Sequence, residues 1–284
     1  MAPDIRITSE TLEHLTGLGF RDYELLSESS QETQEQPVIY NPNPQDYIFV
    51  SGIKSGKEKR PDLLVCKYRL GMSPEVEQAG NQLGLNLQNT TQEENKRDYI
   101  GSINREQALK LNLYLGGRTS DIRLARDFLK LLFSGEAVDG EGNTINPTEL
   151  IQIANEITQP RSPWRAEWFE DYFTQGDEGL VLNKHYVLNG KDIKPEYSNP
   201  LTNCLMQDKT PGIDLQSWLK NSTAQGFPNQ NTKQGNLYFW HPRQDFASRF
   251  YAGPYDADLG CYRDPLYSDS GLGVRHVREA HVKK

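Results

Sequence analysis

Residues 247–279 read ASRFYAGPYDADLGCYRDPLYSDSGLGVRHVRE. Small or apolar side chains recur at Phe250, Ala252, Ala257, Leu259, Cys261, Leu272 and Val274, and from Ala257 to Cys261 they alternate strictly with polar ones. Successive side chains of a strand point to opposite faces, so this alternation predicts a strand with one face packed and the other outward. The inward set is small, as close packing against a sheet requires. The outward set is rich in Tyr, Asp, Gly, Ser and Arg, the chemistry of a paratope. Tyr supplies rigid contact area at low entropic cost, while Ser, Gly and Asp adapt their hydrogen bonding. A solvated loop with ordinary turn residues is the alternative, and so many tyrosines in so short a span argue against it.

The same window is also defined by what it lacks. Between Arg249 and Arg278 there is no Lys, Glu, Gln, Trp or Met. Those types make up about a fifth of the chain, so about six would be expected there by composition. Codons ending in a pyrimidine encode none of the five. They do encode Asn, Tyr, Asp, His, Ser, Gly, Arg, Cys and Leu, the set produced when AAC or AAT codons are randomised at their adenines.

Upstream, the apolar runs Tyr47-Ile48-Phe49-Val50 and Leu63-Leu64-Val65-Cys66 predict strands. A short helix is expected from Ser9 to Gly17, an exposed arm over 27–37, and a surface loop within 81–98. From Asn104 the period becomes helical. One helix ends at Gly116-Gly117, a second starts from a Thr119 or Ser120 cap and ends at Gly135, and a third runs from Pro147 to Ile157. QPRSPWRAEWFEDYF (159–173) reads as a loop turning into a short aromatic helix, with Glu167, Glu170 and Asp171 on its solvated face. After Gly176, short apolar runs such as Leu180-Val181-Leu182, Tyr186-Val187-Leu188 and Leu237-Tyr238-Phe239-Trp240 alternate with turn residues. This predicts a mainly helical region over 1–160, a loop-rich domain with short antiparallel strands over 161–284, and an α+β fold.

Composition excludes several functions. With 36% hydrophobic residues the chain can bury a core, whereas a net charge of -8 argues against nucleic acid, which needs a concentrated basic face. The N-terminal sequence has no signal-peptide pattern, and no apolar run approaches the roughly 20 residues of a membrane helix, so membrane insertion is not expected. A cytoplasmic location, or a place in a phage-like particle, is the expectation. Cys66, Cys204 and Cys261 are far apart and read as free thiols. DGEGNTINPTEL (139–150) begins like a calcium loop with Asp139, Glu141 and Asn143. Thr144 and Leu150 stand where such a loop needs Gly and Glu, so it reads as a turn between helices. His14, His185, His241, His276 and His281 are scattered. No catalytic constellation, metal centre or cofactor motif stands out.

The ending from Ser248 onward resembles the variable region of target proteins of diversity-generating retroelements, which carry a C-type-lectin-like domain related to the formylglycine-generating-enzyme fold. Leu272-Gly273-Val274-Arg275 is similar to the Gly-Phe-Arg final strand of that fold. Ala257, Cys261 and Pro265 sit at its Arg-x-Ala and Pro landmarks, with Asp258 and Leu259 departing from the usual basic and apolar residues. PWRAEWFEDYF and the helices before it are similar to N-terminal portions of some such proteins. The resemblance implies a helical N-terminal half packed on a C-type-lectin-like domain over 161–284, with a variable region at about 247–278. The diversified positions it implies are Tyr251, Gly253, Tyr255, Asp256, Asp258, Gly260, Tyr262, Arg263, Leu266, Tyr267, Asp269, Gly271 and His276. The framework would be Phe250, Ala252, Ala257, Leu259, Cys261, Pro265, Leu272, Gly273, Val274 and Arg275.

The function so implied is non-enzymatic binding of a protein or cell-surface ligand, in a chain compatible with oligomerisation. The alternatives are an oxidase of the formylglycine-generating type and a structural component of a particle. Calcium-dependent sugar binding is not implied, because neither a Glu-Pro-Asn nor a Trp-Asn-Asp motif is present. The oxidase reading requires paired cysteines, and only Cys261 lies in the segment.

Overall fold

The computed structural model describes residues 40–54, 59–92, 97–190 and 192–280. The helix expected from Ser9 and the arm at 27–37 lie outside them. The first two elements are the strands read from apolar runs, β1 (Tyr47–Val50) and β2 (Leu63–Cys66), paired antiparallel with Ile48 opposite Val65. Helix α1 (Pro74–Gln82) starts at Ser73, whose hydroxyl accepts the Val76 N–H. The stretch 81–98, expected to contain a surface loop, holds strand β3 (Gln88–Gln92), which pairs with β4 (Arg97–Gly101), and residues 93–96 between them lie outside the described residues. Helix α2 (Arg105–Tyr114) opens on a capping box in which Asn104 and Gln107 each accept the other's backbone N–H. After β5 (Arg118–Thr119), α3 (Ile122–Ser134) is capped by Asp121, one residue beyond the expected Thr or Ser, and stops at the left-handed Gly135. Helix α4 (Pro147–Thr158) follows the turn at 139–144, where Asp139 Oδ1 accepts the N–H groups of Glu141 and Asn143 at 2.9 Å each.

The second half supplies β6 (Arg165–Gly176), β7 (Gly179–Asn189), β8 (Asp192–Pro200), β9 (Lys209–Ile213), the short α5 (Leu215–Lys220), β10 (Leu237–Trp240), β11 (Ala247–Ala252), β12 (Ala257–Arg263), β13 (Leu272–Gly273) and β14 (His276–Glu279). They form a mixed sheet in the order β8-β7-β6-β11-β12-β10-β9, with β13 also pairing with β6. The β10–β12 and β13–β6 pairs are parallel. The last strand, β14, leaves this sheet and inserts between β2 and β5.

The expectation of an α+β fold with a helical N-terminal half is overturned. Strand outweighs helix, 38% against 23%, and the helices are short. The sharpest correction is at 164–173. The expected aromatic helix is instead the first part of β6, and Glu167, Glu170 and Asp171, expected on a solvated face, are all buried. A strand covered on both faces need not alternate apolar with polar residues, so its period of two does not show in the sequence.

Two apolar clusters account for that coverage. Phe169, Phe173, Phe239, Phe250, Leu259 and Cys261 face Phe128, Leu132 and Ile153 of α3 and α4. On the opposite face, Ala166, Trp168 and Ala247 pack with Ala79 of α1 and Ala108 and Leu111 of α2. This second layer lies over β6 and β11 and leaves the same face of β12 and β10 open. Arg275 locks the two sheets together. Its guanidinium makes a two-pronged pair with Glu167 of β6 and donates to the carbonyls of Cys66 and Lys67 after β2. No helix of the described residues is long and apolar enough to cross a membrane.

Candidate functional site

The open part of the sheet is organised in rows. Trp240, Gly260, Arg249 and Trp168 are successive register partners across β10, β12, β11 and β6, and Tyr238, Asp258, Tyr251 and Ala166 form the next row. Because parity along a strand is conserved, all these side chains share one face, while Leu259 and Phe250 point into the core. Gly260 contributes no side chain, so a depression opens between Trp240 and Arg249. The resulting cleft of about 350 Å³ is walled by Trp164, Trp240, Tyr251, Tyr262 and Tyr267 and carries Arg249, Arg263, Asp256 and Asp258.

The rings and the cations are interleaved. Trp240 and Tyr262 approach to 5.0 Å between centroids at 45°, and Trp164 and Tyr251 to 5.6 Å. Arg249 lies 4.8 Å from the Tyr251 ring centre, and Arg263 lies 5.5 Å and 5.4 Å from those of Tyr262 and Tyr267. Asp258 is 6% exposed, and its Oδ1 has no hydrogen-bond partner. Burial pushes its carboxyl up to about 7 against the opposing pull of Arg249 and Arg263. Burial and the neighbouring Arg263 charge lower the Arg249 guanidinium, and Asp258 only partly offsets them. A buried acceptor and two clustered cations without matched partners are costly in a folded protein.

Of the thirteen sequence-derived positions, Tyr251, Asp256, Asp258, Tyr262, Arg263 and Tyr267 meet in this cleft, and Gly260 is buried between Trp240 and Arg249 in the row beneath it. Tyr255 and Leu266 project into solvent beside it, at 95% and 72% exposure. Gly253 and Gly271 are buried, and Asp269 caps a turn by accepting the Gly271 N–H. His276 does not join the cleft. It lies in the core, its Nδ1 2.8 Å from the Tyr47 hydroxyl, and burial lowers it to about 3. Sequence reasoning missed Trp164, Trp240 and Arg249. Arg249 was detectable, since it is two residues before Tyr251 on the same strand and so on the same face.

A second polar cluster lies where α3 begins against β6 and β7. Asp121 caps α3 through Leu124 N–H at 2.6 Å and receives Lys184 Nζ on its other oxygen at 2.9 Å. Glu170 accepts the His185 N–H, and Asp171 accepts the Ile122 N–H at 2.7 Å. Burial, reinforced by the Asp121 charge, raises Asp171 to about 8. Burial also raises Glu170, to about 7, with Arg118 pulling the other way. Asp121, Glu170 and His185 bring ligand atoms within 4.8 Å of one another, a metal-like spacing. The Lys184 ammonium already supplies the positive charge there, and Arg118 bonds the His185 ring at 2.8 Å.

The three thiols are free. Burial raises Cys204 to about 12 and Cys261 well above its ordinary value.

No family model, curated protein or solved structure matches this chain. The physical content of the cleft is therefore the basis for a functional reading.

Proposed function

We propose that this protein is a ligand-binding module whose recognition surface is the cleft on β11 and β12, and that the cleft's side chains are diversified by retroelement mutagenesis. The carrying observation is the division of one short segment into two chemistries. Phe250, Ala252, Ala257, Leu259 and Cys261 are core, while the residues alternating with them line an aromatic cleft holding unsatisfied charge. Such a surface is suited to recognition, because rigid rings give contact area and unpaired polar groups give orientation. The exposure of Tyr255 and the half-burial of Tyr251 and Tyr262 favour this reading over packing of the tail into the protein's own interior. The raised thiols of Cys204 and Cys261 disfavour an oxidase that works through thiolates.

Binding is tested by titrating the full chain with a library of small ring compounds while following the indole resonances of Trp164 and Trp240. Hits that move these two signals and vanish in Tyr262→Ala support the cleft. Hits confined to other residues, or none at all, overturn it. Diversification is tested in the flanking DNA. A near-repeat of codons 250–277 differing at adenines, beside a reverse transcriptase gene, is expected. A neighbourhood lacking both removes diversification and leaves binding untouched.

A further inference from the structure

The cleft's charge and shape narrow its ligand, an inference that rests on the binding role proposed above. Arg249 and Arg263 bring two guanidinium groups to one cleft, and neither is hydrogen-bonded to a carboxylate among the described residues. Asp256 and Asp258 line the same cleft and oppose part of that charge. Two cations set against two carboxyls leave little positive charge to offer, which suits a monoanion. A dianion such as a phosphate monoester would be repelled by both aspartates. Arginine forks match the planar two-oxygen geometry of a carboxylate.

The remaining groups describe what the anion is attached to. Asp258 is more than nine-tenths buried, lines the cleft and has an unpartnered Oδ1, so its carboxyl has hydrogen-bonding capacity left for a group such as a hydroxyl. Trp240 and Tyr262 pack on each other, tilted at 45° with centroids 5.0 Å apart, and both line the cleft, so they offer it an aromatic wall on which the face of a saturated ring can rest. Gly260 adds no side chain in the row beneath. A Cβ there would stand 2.8 Å from Asp258 Oδ1, on the path of an approaching hydroxyl.

We infer that the cleft binds a carboxylated sugar, with its carboxylate on Arg249 and Arg263, a ring hydroxyl donating to Asp258 Oδ1, and its ring face on Trp240 and Tyr262. Hexuronic acids and nine-carbon keto acids share this chemistry, and both occur at the exposed ends of surface glycans.

The test is titration of the full chain with methyl β-D-glucuronide, methyl β-D-glucoside, glucose 6-phosphate and the methyl glycoside of N-acetylneuraminic acid, followed by the same indole resonances. At least one carboxylated sugar is expected to bind ten-fold or more tighter than the glucoside and the phosphate. Whichever acid is tighter identifies the source. In Arg263→Gln, which alters the less buried arginine, the advantage over the glucoside should vanish while the thermal unfolding profile stays close to that of the native chain. Arg249→Gln should act in the same direction, and Arg263→Lys should recover only part of the preference because Lys lacks the fork. Binding of both carboxylated sugars no tighter than the glucoside overturns the carboxylate inference and leaves the cleft a binding site. So does preference for the phosphate. If no sugar binds but ring compounds still move the Trp164 and Trp240 signals, the sugar is wrong and the cleft stands. If nothing moves them, both readings fall.

Discussion

The ionic cluster at the start of α3 and the cleft on β11 and β12 contain similar side chains, and each holds a buried carboxylate oxygen without a partner, Asp171 Oδ1 and Asp258 Oδ1, but their charges are paired differently. In the first, Asp121 is held by a backbone N–H and by Lys184, while Glu170 and Asp171 accept backbone N–H groups. In the second, Asp258 has an oxygen with no partner, and two arginines rest on aromatic rings instead of carboxylates. Both are buried enough for charge to be costly. The difference is in the pairing of cations: in the first cluster an ammonium meets a carboxylate and holds elements together, whereas the cleft's arginines are left for something else to pair.

That contrast is most directly broken at Lys184. Replacing it with Met strands Asp121 beside Glu170 in the interior, where loss of one partner of a buried pair costs about 3–5 kcal/mol. Denaturant unfolding should show a loss of that size, and a loss below about 1 kcal/mol would mean that Lys184 is not the cluster's counter-charge.

The next largest effect is on pH dependence. Asp171 and Glu170 hold their protons in the folded chain up to about 8 and about 7, whereas in the unfolded chain they release them near 4. Their contribution is fully present below the unfolded value and is lost as pH rises through the folded one. Unfolding free energy should therefore fall between about pH 5 and pH 8 by on the order of 1 kcal/mol per pH unit, and level off beyond. Asp121, whose carboxyl is depressed overall by Lys184 and His185 against the cost of burial, acts only at lower pH, where acid removes its contribution. Asp171→Asn keeps an acceptor for the Ile122 N–H and should flatten the fall. An unchanged pH profile in this variant would remove Asp171 from the account.

Smaller effects are expected in the cleft. Gly260→Ser places a Cβ 2.8 Å from Asp258 Oδ1, the free end of a side chain that can swing aside. Stability should change by less than about 1 kcal/mol, while binding at Trp240 weakens or changes preference. The smallest stability effect belongs to Arg249→Met. It removes a desolvated cation with no carboxylate bond, and swapping such a group for an apolar one is often near neutral, within about 1 kcal/mol. A loss as large as that at Lys184 would show that Arg249 is a structural group and would erase the contrast.

Much of the local structure was legible in the sequence. The alternation from Ala257 to Cys261, the apolar runs of β1 and β2, and the helix periods after Asn104 correspond to the elements observed. Turn chemistry was legible too, since Asp139 organises the turn expected in place of a calcium loop. Each of these is a local property, in which the period of side-chain direction or a side chain bonding its own backbone leaves its mark within a few residues.

Only the tertiary structure decided the rest. It turned the aromatic stretch 164–173 into a central strand, because burial on both faces erases the period that distinguishes strand from helix. It put Glu167, Glu170 and Asp171 inside, because their partners Arg275, His185 and Ile122 lie elsewhere in the chain. It drew His276 into the core between Tyr40 and Tyr47, and it added Trp164 and Trp240 to the cleft from two distant segments. The sequence alone established which side of β12 a residue takes, because its period of two is local. Which residues face one another across strands far apart in the chain, and which polar groups are left without partners there, depends on long-range pairing that no local pattern encodes.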